Sequence, residues 1–504
     1  MTQGVLPFQY EEAPAGGDVT ALAGLPLYLE LAHVAGLPAA IERQVRAAGD
    51  QGWSDTQMIL AGVLLNLAGG DCVDDLEALE GDAGFGAVLR RAEAGLFSRR
   101  QRRAHKRRWR QPRTRALPSA AAMRRYLARF HNRGEEAKRR DGTAFIPAPS
   151  AALSGLRRVN EALVRFLQQH RRQAVATLDM DATLVETGKA EALYCYKHMK
   201  AYQPLNTWWA EHGVVLDSEF RDGNVPAGHQ QLRVFKAALE ALPAGVEKVY
   251  LRSDSAGYQQ ELLLYCGEAD DRRFGVIEFA VAADVTGAFR VAVAETPEAA
   301  WRPLHRSVDG RRQETDQEWA EVCFVPNWAG HSKNRADYRF LAIREPLRQL
   351  PLGDADLLPF PTQEFGAKGR YKLFALVTNR ELAGDQVIWW HRQRCGKSEE
   401  AHAVMKHDLA GGQLPSGLFG ANAAWWAMMI LAHNLNAVMK RLVLGAGWQA
   451  KRMKALRFHL IAVAGRVIRH ARRLILRLAA GHPALALVCA AHRRIAALAR
   501  GPTG

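Results

Sequence analysis

The chain has 504 residues, 48% of them hydrophobic, enough for several domains with sizeable cores, and this excludes a disordered tail protein. Its 68 Lys and Arg against 52 Asp and Glu give a formal charge of +16, which favours a polyanionic partner. The six cysteines are scattered without a C-x-x-C pair, which argues against a zinc site or a disulfide framework and fits a reducing cytoplasm.

The opening MTQGVLPFQYEEAPAG has neither the basic start nor the apolar run of a signal peptide. Residues 1–150 are expected to form a helical DNA-binding domain. Leu25 to Leu37 and Asp55 to Leu67 show helical apolar spacing, broken by Gly69-Gly70. A basic run follows, in which Arg102, Arg103, Arg107 and Arg108 surround the approach to Trp109. Self-repulsion predicts that this run is extended and mobile. Ser119 is a plausible N-cap for a short helix carrying Arg124 and Arg125 on one side and Leu127 and Phe130 on the other. A helix that docks on DNA is favoured there over a merely solvated basic helix.

From about residue 173 the pattern turns to strands. Ala174 to Leu178, Ala192 to Tyr196 and Gly213 to Phe220 are followed by a helix over Leu232 to Leu242. A buried strand over Lys248 to Arg252, a helix over Gln259 to Cys266 and a strand over Val276 to Ala283 complete this part. The order predicts an α/β fold over 151–284, a mixed sheet with helices on its faces. Residues 285–380 read as a β-rich insertion, with pieces at Ala288 to Ala294, Glu321 to Val325, Arg339 to Arg344 and Tyr371 to Thr378. An insertion of that size is expected to leave and re-enter the core at the surface. Its Trp301, Trp319 and Trp328 are weighed as base-stacking groups against ordinary core residues. Residues 381–445 are expected to be helical, and 446–504 a basic helical tail. Ala423 to Leu431 is the most apolar stretch, but it is short and runs into His433, Asn434 and Asn436. A core helix explains it better than a membrane span.

Two strand ends carry acids: Asp181 in LDMDAT and Asp254 in YLRSDSAG. Carboxylates at the ends of neighbouring strands can converge, and Glu399 or Glu400 in RCGKSEEAHAVMKHDL could complete a magnesium cage from a helix. Paired ions in such a cage suit phosphodiester cleavage and strand transfer. Glu399 and Lys406 share a helix face, as a metal ligand and a phosphate-gripping cation would. Asp179 shares a strand face with Asp181 and could instead be an N-cap or a salt-bridge partner.

The segments LPSAAAMRRYLARF, LDMDATLVETGKAEALYCY, YLRSDSAGYQQELL and WHRQRCGKSEEAHAVMKHDLAGGQLPSGLFGANAAWW resemble the DDE transposases of bacterial insertion sequences. They look closest to the IS-thirteen-eighty type, with a β-strand insertion in the catalytic domain. The resemblance implies an RNase H-like core in which Asp181, Asp254 and Glu399 bind Mg2+, with Mn2+ as a possible substitute. It also implies double-stranded DNA ends and target as partners, in an active homodimer. Thr183, two residues after Asp181, fits the family's first Asp better than a choice of Asp179 would. Glu399 and Lys406 match the family's Tyr-Arg-Glu-Lys signature. Arg394 stands one residue further from Glu399 than the signature asks, and His391 occupies the Tyr position; both are expected to touch DNA. VATLDMDATLVET also comes close to the haloacid-dehalogenase phosphatase pattern, with Asp179 as nucleophile, and a catalytically inactive DNA-binding relative is the other alternative.

Overall fold

The computed structural model describes residues 19–500 apart from 97–98, 141, 309–310, 329–337, 349–357, 359, 395–396 and 471–472. Ten strands make one sheet. They are β1 (Val175–Ala182), β2 (Leu205–Trp209), β3 (Val214–Glu219), β4 (Lys248–Ser253), β5 (Glu278–Ala283), β6 (Arg302–Val308), β7 (Arg311–Val322), β8 (Arg339–Pro346), β9 (Thr362–Glu364) and β10 (Arg370–Thr378). Their order is β6-β7-β8-β10-β5-β4-β1-β2-β3, with β9 beside β10. Only β1–β4 and β4–β5 are parallel. A parallel pair needs a crossover, and the helices Gln231–Ala241 and Gln260–Gly267 supply one before and one after β4.

Most expected elements are present, and the differences have physical causes. Strand β2, LNTWW, is buried at every position. A strand covered on both faces loses the alternation by which strands are recognised. Residues Gly287–Glu295 form a helix, not the strand expected over Ala288 to Ala294, and Thr286 Oγ1 accepts from the Phe289 N–H at 3.2 Å to cap it. The expected insertion does not leave the core as a body of its own. Strands β6 to β10 continue the sheet through β10–β5 pairing, from Ala375 opposite Ala283 to Thr378 opposite Ala280. Pairing covers the edge that β5 would otherwise expose. Trp301 and Trp319 are each 7% exposed, and Trp328 packs its ring against Tyr258 and Tyr338. The two buried rings are core residues, not an open stacking surface. His331, Lys333 and Arg335 lie outside the described residues.

Two further expectations are corrected at the ends of the chain. The basic run contains a helix, Arg99–Arg107; arginine is a strong helix former, and in solvent its charges can splay apart. The tail is not all helical. Gly465–His470 and Arg473–Arg477 pair as a hairpin, and Val19–Thr20 joins it as a third strand. Beyond it, among the described residues, Leu485–Leu498 is helical.

The helix Phe419–Val438 organises the interior, with 18 of its 20 residues buried. It packs on the helices Asp55–Ala68, Ala120–Ala128 and Ala151–His170 and on β3. Its buried asparagines are matched, as burial demands. Asn434 donates to Asn160 Oδ1 at 2.7 Å and to the Val215 carbonyl at 2.8 Å, and accepts from the Val215 N–H at 2.9 Å. Asn436 Oδ1 accepts from the Tyr28 hydroxyl at 2.8 Å. These bonds fix the helix in register against the sheet and the N-terminal helices together. Among the described residues no single helix is long and apolar enough to cross a membrane.

Candidate active site

Strand β1 lies in parallel register with β4, Asp179 opposite Arg252 and Met180 opposite Ser253. Side chains alternate along strands, so Asp179 and Asp181 share a face with Arg252 and Asp254. Asp179 and Arg252 form a buried, two-pronged ion pair, Nε to Oδ1 at 2.6 Å and Nη2 to Oδ2 at 2.7 Å. The guanidinium also donates to the Trp390 carbonyl at 2.8 Å and lies over the Trp390 ring. This is a fork matched to a carboxylate. The would-be nucleophile of a phosphatase is therefore committed on both oxygens.

One step further along the strands, Asp181 meets the Arg394 guanidinium and the His402 ring at longer range. Asp181 Oδ2 stands 3.3 Å from Arg394 Nη1 and 3.7 Å from His402 Nδ1. Asp254 follows β4 directly and turns the chain: its Oδ1 accepts from the Ala256 N–H at 3.1 Å. Burial pushes the Asp254 carboxyl above the usual carboxylate range; Arg394 pulls it down, and the negative charge of Asp181 pushes it up again. Two neighbouring carboxylates in a partly desolvated site raise each other's pKa unless a cation answers them. Arg394, 8% exposed, is that cation in the protein alone.

Glu399 lies on the helix Lys397–Ala403, one turn before His402, whose ring faces Asp181. Its side chain is outside the described residues, and among those that are described no three His, Cys, Asp or Glu groups gather as a metal cage. Glu400 is exposed and its charge acts on Lys440, away from Asp181. His402 is held below the ordinary histidine range, at about 4, by burial and by Lys406 and Arg394, so its ring is neutral. Lys406 donates to the Leu184 carbonyl at 3.3 Å, just beyond β1.

His391, expected on DNA, is instead 9% exposed. Its Nε2 bonds the Ser253 carbonyl at 2.8 Å, and burial pushes its pKa down to about 3. A neutral ring donating to the last carbonyl of β4 is a strut beneath Asp254. Arg394 likewise reaches an acid, not the surface. The sequence marks 391 and 394 as site positions through their spacing to Glu399, but not their direction. His402 is legible there only as a neighbour on the Glu399 stripe.

The arginines expected on DNA divide into two kinds. Arg102, Arg103 and Arg107 are exposed on the helix Arg99–Arg107, and Arg125 on the helix Ala120–Ala128. Arg124 is exposed too but pairs with Asp74. Arg108 is an anchor: its guanidinium donates to the carbonyls of Gly52 at 3.0 Å, Gly49 at 2.6 Å and Trp53 at 3.2 Å. Next to it Trp53 and Trp109 meet edge to face, with Arg113 over the Trp53 ring.

A family model described as Transposase DDE domain group 1 matches residues 10–500, nearly the whole chain. No curated protein matches. Among solved structures the chain is similar to a piggyBac transposase synaptic complex with hairpin DNA, at 10% identity and a TM-score of 0.39, over 88% of this chain and 79% of that one. With the family matched over almost its full length, the chain belongs to the DDE transposases of group 1 and is an enzyme of DNA transposition.

Proposed function

We propose that the chain cuts and joins the ends of a bacterial insertion sequence in double-stranded DNA. The proposed centre is Asp181, Asp254 and Glu399, holding Mg2+ or Mn2+ in an RNase H-like core. The observation that carries this reading is the pairing of Asp181 with Asp254 at adjacent parallel strand ends, beside a saturated Asp179–Arg252 pair. The order β3-β2-β1-β4-β5, antiparallel up to β1 and parallel after it, supports the RNase H-like assignment.

The donors fit a hard divalent ion: two carboxylates, close enough for the charge of Asp181 to push up the Asp254 carboxyl, offer oxygen ligands and negative charge. When bound, such ions activate a water or 3′-hydroxyl and stabilise the leaving oxygen. The chain's own residues do the rest. His391 fixes the end of β4 and so the reach of Asp254. Arg394 and Lys406 add positive charge where a phosphodiester would lie, and charged donors suit phosphate oxygens. The neutral ring of His402 orients Asp181 without competing for charge. Exposed Arg102, Arg103, Arg107 and Arg125 would follow the DNA backbone, and two protomers would hold paired ends.

The test is cleavage of an end duplex with and without Mg2+. Wild type should nick only with metal, and Asp254→Asn should bind the duplex but not nick it. Metal-independent nicking, or full activity in Asp254→Asn, would remove the reading.

A further inference from the structure

The helix Lys397–Ala403 has a second neighbour besides the acids. Glu400, Ala401 and Val404 line a small cavity of about 170 Å3 closed by Gly213, His433, Lys440, Arg441, Gln449, Lys451 and Arg452. Lys440 and Arg441 sit on a π-helical segment, Met439–Leu444, that continues the buried helix. The Arg441 guanidinium lies on Gly213, where a Cβ would stand 2.7 Å from Nη2, and its Nη1 donates to Gln449 Oε1 at 3.3 Å. Lys440 donates to the Lys451 carbonyl.

The charge in this cavity does not balance. Asp408 is matched to Arg452 at 3.1 Å. Glu211 acts on Arg441 with its negative charge, while its oxygens accept from the Thr177 N–H at 2.8 Å and hydroxyl at 2.6 Å. Glu400 and Asp408 act on Lys440, and Arg171 and Glu211 act on Arg441, so the three carboxylates stand against five cations, Lys440, Arg441, Lys451, Arg452 and Arg171. Arg441 is pushed down to about 10 by burial and by Arg171, and Lys440 is lowered by burial despite Glu400. His433, at about 4, is neutral and adds no charge. Cations that repel one another while partly desolvated are what an anion site looks like before its anion arrives.

We infer that the cavity bounded by Lys440, Arg441 and Lys451 is a phosphate site that takes one backbone phosphodiester of DNA on the far side of the helix bearing Glu399. This rests on the proposed function and deepens it. A phosphodiester bound there would press on the same helix that carries the third acid, and so couple DNA seating to the geometry of the centre.

The phosphodiester could belong to the transposon end or to the target, and the experiment separates the two. Affinity is measured over a salt series, first for an end duplex, then for a target duplex added to the preassembled end complex. The Lys440→Met/Arg441→Gln double variant and the exposed Lys451→Gln variant are compared with wild type. Each phosphate that is no longer neutralised lowers the salt slope by about 0.9, and we expect a fall of that size in one of the two series. The charge-preserving Lys440→Arg should keep the wild-type slope. Lys451→Gln, on the surface, reads the site even if the double variant fails to fold. Unchanged slopes in Lys451→Gln and in a folded double variant, while wild type binds and cleaves, would overturn the site and leave the proposed function standing. A wild type that binds no DNA would overturn both.

Discussion

Asp179 and Asp181 lie on one face of one strand, two residues apart, and differ in what their charge is committed to. Asp179 is held on both oxygens by Arg252 at 2.6 and 2.7 Å. Asp181 meets Arg394 at 3.3 Å and His402 at 3.7 Å, with a second carboxylate beside it. A carboxylate held on every side is part of the architecture. One that meets its cation at longer range, next to a like charge, is the acid to which the proposed function gives the metal ion. On the proposed reading the same sequence motif, LDMDAT, divides into a structural acid and a functional one, and the difference lies in the partner strand: Arg252 opposite one, Asp254 beside the other.

The sharpest way to break this comparison is to remove each acid in turn. Asp181→Asn and Asp254→Asn should each lower end cleavage by at least about 10³-fold, roughly 4 kcal/mol of transition-state stabilisation, while the fold stays intact. Asp254→Asn should not lower the unfolding midpoint, because burial already disfavours its charge. Asp179→Ala should do the opposite. Breaking a buried ion pair leaves an unpaired charge and costs about 3–5 kcal/mol, so activity should fall with stability, as read by urea unfolding. The double change Asp179→Leu/Arg252→Met should recover much of that stability. If Asp179→Ala stays as stable as wild type yet loses cleavage, the two acids have been assigned the wrong way round.

Buried histidines extend the comparison to pH. His391 and His212 are both held down to about 3, in each case chiefly by burial. In the unfolded chain each would take a proton near its ordinary value of about 6.5. A depressed folded pKa means that the unfolded state binds more protons between these values. Stability should therefore be fully present above about pH 6.5 and fall as pH drops toward 3. Each such histidine contributes a slope of up to about 1.4 kcal/mol per pH unit. His212, whose Nε2 bonds Gln168 Oε1 at 2.8 Å, is far from the acids. His212→Gln should flatten the slope by one proton between pH 6 and 4 without changing cleavage at neutral pH, and an unchanged slope would contradict the assignment.

Much of this site is legible in the sequence because its strands are short apolar runs that end in acids, and the parallel pairing of β1 with β4 follows from the intervening helix. What the sequence conceals is partnership. Arg252 reads as one more polar residue on a buried strand until β4 is set beside β1. Arg394 and His391 carry the right spacing to Glu399, but spacing does not say whether a helix turns them toward solvent or toward the sheet. The β-rich segment is recognisable by composition, while its union with β5 depends on pairing between residues about 100 apart, here Thr378 with Ala280, where the Thr378 hydroxyl also donates to the Phe279 carbonyl at 2.5 Å. The helix Gly287–Glu295 reads as a strand and the paired strands Gly465–His470 and Arg473–Arg477 as a helix, because short alternating apolar runs fit both periods.

The smallest effects should come from the arginines near the N-terminus, and there the same distinction can be drawn without touching the acids. Arg108 donates to three backbone carbonyls of the 49–53 loop, whereas Arg102, Arg103 and Arg107 are exposed on the preceding helix and form no ion pair among the described residues. Arg108→Ala leaves those carbonyls to water and loosens the loop; each broken bond of a charged donor costs about 1.5–3 kcal/mol at most, less where solvent replaces it. Its main signature should be a lower unfolding midpoint. Replacing Arg102, Arg103 and Arg107 together should leave the midpoint within about 0.5 kcal/mol, as expected of surface changes. It should flatten the salt dependence of end-DNA binding by about 0.9 for each phosphate that these arginines neutralise. Arg124→Ala, which gives up only the exposed pair with Asp74, should cost no more than about 1 kcal/mol. If the triple change shifts stability and Arg108→Ala shifts only the salt slope, then commitment to the fold does not separate anchoring arginines from DNA-binding ones in this protein.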